Sequence, residues 1–130
     1  MRSPIETLVA TLLAFCCAGA SAATFTDAAG RKVELPARVE RVYAAGPPAS
    51  VAVFAIAPDK LIGWTRAFRP NEAAFVAKKY ADLPDLGRLT GRGGTANIEV
   101  ILRTRPDLII DMGATNATFA SLADKVQEQT

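Results

Sequence analysis

The sequence predicts an α/β fold in which a parallel sheet is flanked by helices and preceded by a small N-terminal β-hairpin. From residue 39 onward, short apolar runs alternate with stretches of helical periodicity, as in strands joined by crossover helices. The predicted strands are apolar almost throughout, which a sheet covered on both faces requires. Hydrophobic residues make up 50% of the 130-residue chain, enough for the core of one domain. These observations favour a Rossmann-like sheet.

Residues 1–22 have the features of a cleaved secretory signal peptide. Residues 8–18 form an apolar run, and residues 20–22 (ASA) match the small-residue pattern of a cleavage site. The run is too short to span a bilayer comfortably, although an N-terminal anchor is the alternative. Both cysteines, Cys16 and Cys17, lie in this segment. We therefore expect a periplasmic mature chain, residues 23–130, without disulfides.

The predicted hairpin covers residues 24–35, where two β-prone runs flank a turn at Gly30. The alternating part of the chain follows Pro36. Its predicted elements are, in order, a strand over 39–45, a helix over 50–57, a strand over 60–64, a helix over 70–80, a weak strand over 86–89, a helix over 98–104, a strand over 107–112, and a last helix from residue 115 or 116 to 126.

Local signals justify the boundaries of these elements. Pro48 is suited to the first turn of a helix, where a backbone N–H would have no partner. Ile98, Ile101 and Leu102 recur at the helical spacing, and Pro106 disfavours helical geometry at the residue before it. The chain stops after the last predicted helix without a following strand, so we expect one lobe of a longer protein.

Several function classes are disfavoured by the composition. The chain has no histidine, which excludes a Ser-His-Asp triad and a His-ligated metal site within these residues. A net charge of +2 does not suggest a nucleic-acid partner. The glycine-rich stretch over residues 87–94 lacks the lysine of a phosphate-binding loop. Asp107 and Asp111 lie near opposite ends of one predicted strand, so they do not form an acid/base pair. The sequence therefore predicts that the protein is not an enzyme.

A ligand site is expected beyond the carboxyl ends of the predicted strands, where open α/β sheets bind their ligands. The predicted ligand-binding residues share this location: Pro47, Trp64, Arg66, Arg88 and Arg92. Aromatic surface together with guanidinium groups suits a bulky anionic ligand. Two alternatives stay open, since Trp64 fits the core as well as a cleft, and any single arginine can be merely solvated.

Two segments carry a resemblance to a known family. Residues 97–101 (NIEVI) and 105–110 (RPDLII) are similar to the N-[LI]-E-x-[IL] and [KR]-P-D-L-[IV] signature of periplasmic binding proteins that serve iron–siderophore, haem and cobalamin uptake. The opening TFTDAAGRKVELP and the KLIGW segment also fit that family. The resemblance covers nearly all of residues 24–130 and extends to the N-terminal lobe only.

The resemblance implies a function and a partner. Such proteins have two α/β lobes joined by a long helix, bind their ligand between the lobes as monomers, and deliver it to an ABC permease. It also implies that Glu99 docks on the permease, and as a first-turn acid Glu99 would favour the helix dipole as well. The arginines favour an anionic metal chelate, a ferric siderophore or haem, over a neutral corrinoid, with no resident cofactor or metal. The alternatives are an extracytoplasmic chelate-processing enzyme and a receptor sensor domain on the same scaffold.

Overall fold

The computed structural model describes residues 23–90, 94–115 and 128. The predicted signal peptide, Arg92 and the predicted last helix lie outside these residues. No helix within the described part of the chain is long and apolar enough to cross a membrane. The elements are, in order, β1 (Ala23–Thr26), β2 (Lys32–Leu35), β3 (Val42–Ala44), α1 (Pro47–Ile56), a 3-10 turn (Pro58–Lys60), α2 (Pro70–Ala73), α3 (Lys78–Ala81), α4 (Ile98–Thr104) and β4 (Leu108–Ile110).

The N-terminal hairpin is confirmed. β1 pairs with β2 in antiparallel register, with Ala23 opposite Leu35. Asp27 closes the turn, because its Oδ1 accepts hydrogen bonds from the backbone N–H groups of Ala29 (2.9 Å) and Arg31 (2.8 Å). Gly30 has a φ of 82°, a conformation that few other residues adopt at low cost. The turn chemistry read from the sequence therefore fixes the hairpin register.

The parallel sheet is built around β3. β3 pairs with β4 in parallel, with Val42 opposite Leu108 and Ala44 opposite Ile110. On its other side, β3 forms a parallel bridge from Val42 to Leu61, and residues 61–64 reach the next segment through a bridge from Trp64 to Asp85. The order across the sheet is therefore 84–86, 61–64, β3 and β4, all parallel.

The predicted strand over 60–64 is present as an extended segment with bridges at Leu61 and Trp64, whereas the predicted strand over 86–89 is wrong, because the bridge lies just before it at Asp85. Lys60 belongs to the 3-10 turn. A Cβ placed on Gly63 would lie 2.7 Å from the carbonyl oxygen of Pro84, so the two segments approach closely at the glycine. Pro84 has no N–H to contribute to a ladder. Close approach and a missing donor limit the pairing here to single bridges.

Helices cover both faces of the sheet. Val42 and Ala44 point to one face, where they pack with Val53 of α1. Tyr43 points to the opposite face and packs with Ile101 of α4. These five side chains are all at most 6% exposed. The expected three-layer α/β arrangement is thereby confirmed.

The predicted helix over residues 70–80 is wrong as a continuous element. The chain forms two short helices, α2 and α3, and the intervening Phe75 is 92% exposed instead of lying on a buried face. Tyr80 of α3 is held by tertiary contacts, since its carbonyl oxygen accepts a hydrogen bond from Trp64 Nε1 at 2.7 Å and its ring lies 5.3 Å from that of Phe54. We infer that these contacts outweigh a weak helical periodicity.

Candidate functional site

The sheet has a topological switch point between β3 and β4. From β3 the chain moves to residues 61–64 and then to 84–86 on one side, and it returns through α4 to β4 on the other side. Connections that leave in opposite directions open a crevice at the carboxyl ends of the two central strands, which is the usual ligand site of such sheets. Ala45 and Gly46 follow β3 at this crevice, and Asp111 follows β4.

The segment after residue 87 crosses the end of β3 and brings Thr90 to the crevice. The backbone N–H groups of Leu89 and Thr90 donate to the carbonyl oxygen of Ala45, at 2.8 and 3.2 Å. Thr90 is 8% exposed, and its Oγ1 lies 2.9 Å from Oδ1 of Asp111. The Oδ1 atom also accepts a hydrogen bond from the backbone N–H of Met112 at 2.9 Å. Thr90 and Asp111 therefore form a fixed polar pair at the switch point.

Gly46 makes room for this pair. A Cβ at position 46 would lie 2.8 Å from Thr90 Oγ1 and 3.5 Å from Asp111 Oδ1. Real Cβ atoms do not approach a hydroxyl oxygen this closely, so a side chain here would displace the threonine. The glycine after β3 thus has a steric role, which differs from the conformational role of Gly30.

The glycine-rich stretch is closed at its base. The carbonyl oxygen of Arg88 accepts hydrogen bonds from the backbone N–H groups of Thr95 (3.0 Å) and Ala96 (3.1 Å). Gly87 has a φ of 73°, and a Cβ there would lie 2.8 Å from the Cα of Ala96. The hydroxyl of buried Tyr43 donates to the carbonyl oxygen of Gly87 at 2.8 Å. Burial raises the pKa of Tyr43, so this hydroxyl stays a donor at neutral pH.

Two of the predicted site residues border the crevice. Pro47 is exposed and follows Gly46 directly, as the first residue of α1. Arg88 is half-buried at the base of the glycine-rich stretch. The helix α1 begins earlier than the predicted residue 50, because Pro47 and Pro48 occupy positions whose N–H groups would have no partner in a helix.

The other predicted site residues have different surroundings. Trp64 is 8% exposed, and its ring lies 4.7 Å from that of Phe68, so it packs within the core. Arg66 is exposed but donates from Nη1 and Nη2 to the two carboxylate oxygens of Glu72, at 2.7 and 2.9 Å. These hydrogen bonds, together with one from the backbone N–H of Arg69, lower the pKa of Glu72 to about 2. Arg92 lies outside the described residues.

Three residues of the crevice were missed as site residues from the sequence: Gly46, Thr90 and Asp111. The position of Asp111 after a buried strand was a usable signal, since it predicts a place at the carboxyl edge. Its partner could not be found, because Thr90 precedes it by 21 residues and reaches it only through the fold. No group of three or more His, Cys, Asp or Glu residues that could hold a metal occurs among residues 23–90 and 94–115.

Glu99 lies in the first turn of α4, away from the buried side of that helix. The side chain of Asn97 caps the helix, with its Oδ1 accepting from the backbone N–H of Glu99 at 2.9 Å. The Glu99 side chain is 79% exposed, and its ion-pair partner Arg103 is 4.0 Å away, at the limit of such a contact. Ile101 on the same helix is buried. The carboxylate of Glu99 is thus presented to solvent.

Comparison with known proteins finds a similarity to a solved structure. No family model and no curated protein sequence matches the chain. A solved structure, the ABC transporter solute binding protein from Sulfurospirillum deleyianum DSM 6946, is similar with a TM-score of 0.64 and 28% sequence identity. The match covers 79% of this chain and 33% of that one, so the chain spans about a third of the length of that structure. The similarity supports the fold of a solute-binding protein.

Proposed function

We propose that the chain is part of the substrate-binding component of an ABC importer. In this function a periplasmic protein captures an anionic metal chelate, a ferric siderophore or haem, and delivers it to the membrane permease. The proposal is carried by the similarity to the solute binding protein over 79% of the chain. The signature segments around Asn97 and Pro106 support the chelate-binding branch of such proteins.

The geometry of the crevice supports ligand binding at the carboxyl edge of the sheet. The exposed Pro47 lies at this edge, and the buried Gly46 before it leaves space for the fixed pair of Thr90 and Asp111. Arg88 and, in our proposal, Arg92 supply positive charge to a chelate, since guanidinium groups pair well with carboxylates.

Trp64 and Arg66, two further predicted ligand contacts, have different roles in the proposed site. Trp64 shapes the wall of the site from within, because its ring packs in the core. The guanidinium of Arg66 is already paired with the carboxylate of Glu72, so Arg66 must break this ion pair before it can bind the ligand. We therefore rank Arg66 as the weakest of the proposed ligand contacts.

A direct test is titration of the full-length protein with ferric siderophores, haem and cobalamin. Calorimetry reports binding, and the fluorescence of Trp64, the one tryptophan of the chain, reports a change in its surroundings. We expect saturable binding of an anionic chelate and no competition by cobalamin. Absence of binding by every ferric chelate and by haem would reject the proposal.

Docking on the permease is proposed to use Glu99. A Glu99→Arg variant should bind the chelate normally and fail to support uptake, because the charge reversal repels basic residues on the partner. Glu34→Arg is a matched control, since Glu34 is an exposed acid on the separate hairpin. Equal loss of uptake in both variants, or loss of chelate binding in Glu99→Arg, would contradict a docking role.

A further inference from the structure

In the described part of the chain, only one of the two carboxylate oxygens of Asp111 accepts hydrogen bonds. Its Oδ1 atom accepts hydrogen bonds from Thr90 Oγ1 and from the backbone N–H of Met112, both at 2.9 Å. Its Oδ2 atom accepts no hydrogen bond from any residue in the part of the chain that the structure describes. A carboxylate offers about four acceptor positions. Because Asp111 is exposed at the switch point, the unused oxygen is available to a bound ligand.

The fold holds this carboxylate in place before any ligand arrives. Thr90 is anchored by its own backbone N–H and that of Leu89 on the carbonyl oxygen of Ala45. The hydroxyl of Thr90 then fixes one oxygen of Asp111, and Gly46 leaves the space that the pair needs. A group oriented in this way loses little conformational entropy when it binds a ligand.

The electrostatic surroundings of Asp111 differ from those of the acids that hold a basic side chain. Within residues 23–90 and 94–115, no lysine or arginine forms an ion pair with Asp111. Its negative charge is therefore not neutralised by a neighbouring side chain. The acids that do hold a lysine or arginine are Asp27, Glu40, Asp59, Glu72, Asp82 and Glu99.

We propose that Asp111 contacts the ligand and selects chelates that carry a protonated amine on the face turned toward the switch point. This inference rests on the proposed function. A charged hydrogen bond between an ammonium group and the free oxygen stabilises the complex, whereas a ligand carboxylate at the same place is repelled. The preferred ligand thus turns an ammonium group toward Asp111, whatever the net charge of the rest of the chelate.

A pair of chelates that differ only in the amine tests this proposal. Ferrioxamine B carries a pendant amine that is protonated at neutral pH, and its N-acetyl derivative has the same iron-binding groups without that charge. The full-length protein should bind ferrioxamine B about tenfold to a hundredfold more tightly than the acetylated form. Asp111→Asn should abolish this preference, mainly by weakening the binding of ferrioxamine B. Haem, which carries carboxylates, should bind Asp111→Asn at least as tightly as it binds the wild type.

Asp82→Asn is the matched control, because it removes one negative charge from an exposed position at the end of α3. It should leave the preference for ferrioxamine B unchanged, and circular dichroism should show both variants folded. If the ratio of the affinities for ferrioxamine B and its acetylated form is the same in the wild type and in Asp111→Asn, the role of Asp111 is overturned and the proposed function is unaffected. Binding of haem but of neither ferrioxamine would overturn it while the proposed function stands. Binding of no ferric chelate and no haem by the wild type would overturn both.

Discussion

An aspartate lies at each end of β4, and the two side chains have different hydrogen-bond partners. Asp107 lies at the amino end, where its Oδ2 accepts hydrogen bonds from the backbone N–H groups of Glu40 and Arg41, both at 2.8 Å. Asp111 lies at the carboxyl end, where its Oδ1 is bound by Thr90 and its Oδ2 accepts no hydrogen bond from the residues that the structure describes. The two exposed aspartates that flank one strand thus differ in their partners, and only Asp107 binds two backbone N–H groups of another segment.

The neighbours of the two aspartates show the same contrast. At the amino end, the guanidinium of Arg41 donates to the carbonyl oxygens of Thr104 (2.7 Å) and Arg105 (3.3 Å), which caps the end of α4. These carbonyls have no partner within the helix, so the arginine satisfies them. At the carboxyl end, Gly46 and Thr90 are buried, and the exposed residue is Asp111. The amino end of the sheet is thus held by backbone hydrogen bonds, whereas ligand binding at the carboxyl end is our proposal.

The largest expected effect is a loss of stability at the amino end. Asp107→Ala removes the acceptor of two backbone N–H groups and should lower the free energy of unfolding by about 2 kcal/mol, since hydrogen bonds to charged groups are the stronger ones. Chemical denaturation measures this change. Asp107→Asn keeps an oxygen acceptor and should therefore lose less of the free energy of unfolding than Asp107→Ala. A loss of under about 0.5 kcal/mol would show that Asp107 is not an anchor.

A smaller effect is expected from the steric change at the carboxyl end. Gly46→Ala places a Cβ 2.8 Å from Thr90 Oγ1, so it should displace the hydroxyl, cost about 1 kcal/mol and weaken ligand binding. Gly113→Ala is the matched control, because a Cβ at that nearby glycine meets nothing within 4 Å. Calorimetric titration and denaturation of both variants test this difference. Equal behaviour of the two alanine variants would mean that the space at Gly46 is not needed.

The elements with strong local signals were predicted correctly. Helix α4 has the predicted limits, residues 98–104, because a side-chain cap at Asn97 and a proline after its end define it within a few residues. The hairpin around Gly30 follows from an equally local pattern, and so does β4, although it covers only Leu108–Ile110 of the predicted 107–112 and is partly rather than fully buried. Such signals act over a turn or a strand, so the sequence alone suffices to find them.

The parts that depend on distant contacts were predicted less well. The helix over 70–80 is divided, because contacts of Tyr80 with Phe54 and Trp64 override its periodicity. The sequence places Asp111 near the end of a predicted strand but does not identify Thr90 as its partner, since Thr90 comes from another part of the chain. The assignment of Trp64, Arg66 and the other predicted rim residues to a ligand site stays a prediction.

Removing the carboxylate at residue 111 should have little effect on stability. In Asp111→Ala, the hydroxyl of Thr90 still has the carbonyl oxygen of Ala45 at 3.4 Å as an acceptor, so no buried donor loses its only partner. We expect a change in the free energy of unfolding below about 0.5 kcal/mol, because the buried hydroxyl of Thr90 keeps an acceptor. Denaturation beside Asp107→Ala gives the comparison directly. A loss equal to that of Asp107→Ala would remove the distinction between the two ends of β4.

The smallest effect concerns an ion pair that follows the carboxyl end of residues 61–64. The pKa of Glu72 is lowered to about 2 by hydrogen bonds from Arg66 and from the backbone of Arg69, against an ordinary value of 4.5. A carboxylate with a lowered pKa stabilises the fold above its ordinary value and loses this contribution as the pH falls toward 2. Both side chains are partly or largely exposed, so the contribution is small.

Glu72→Gln reveals this contribution by thermal unfolding between pH 7 and pH 2.5. The melting temperature of the variant should lie slightly below that of the wild type at pH 7, and the two should converge as the pH falls below about 4.5. Added salt should reduce the difference at pH 7, since exposed pairs are screened. A difference that stays constant with pH would mean that the carboxylate is not held by Arg66. The guanidinium would then be free for a ligand, and the carboxyl end would be more basic than its present pairing indicates.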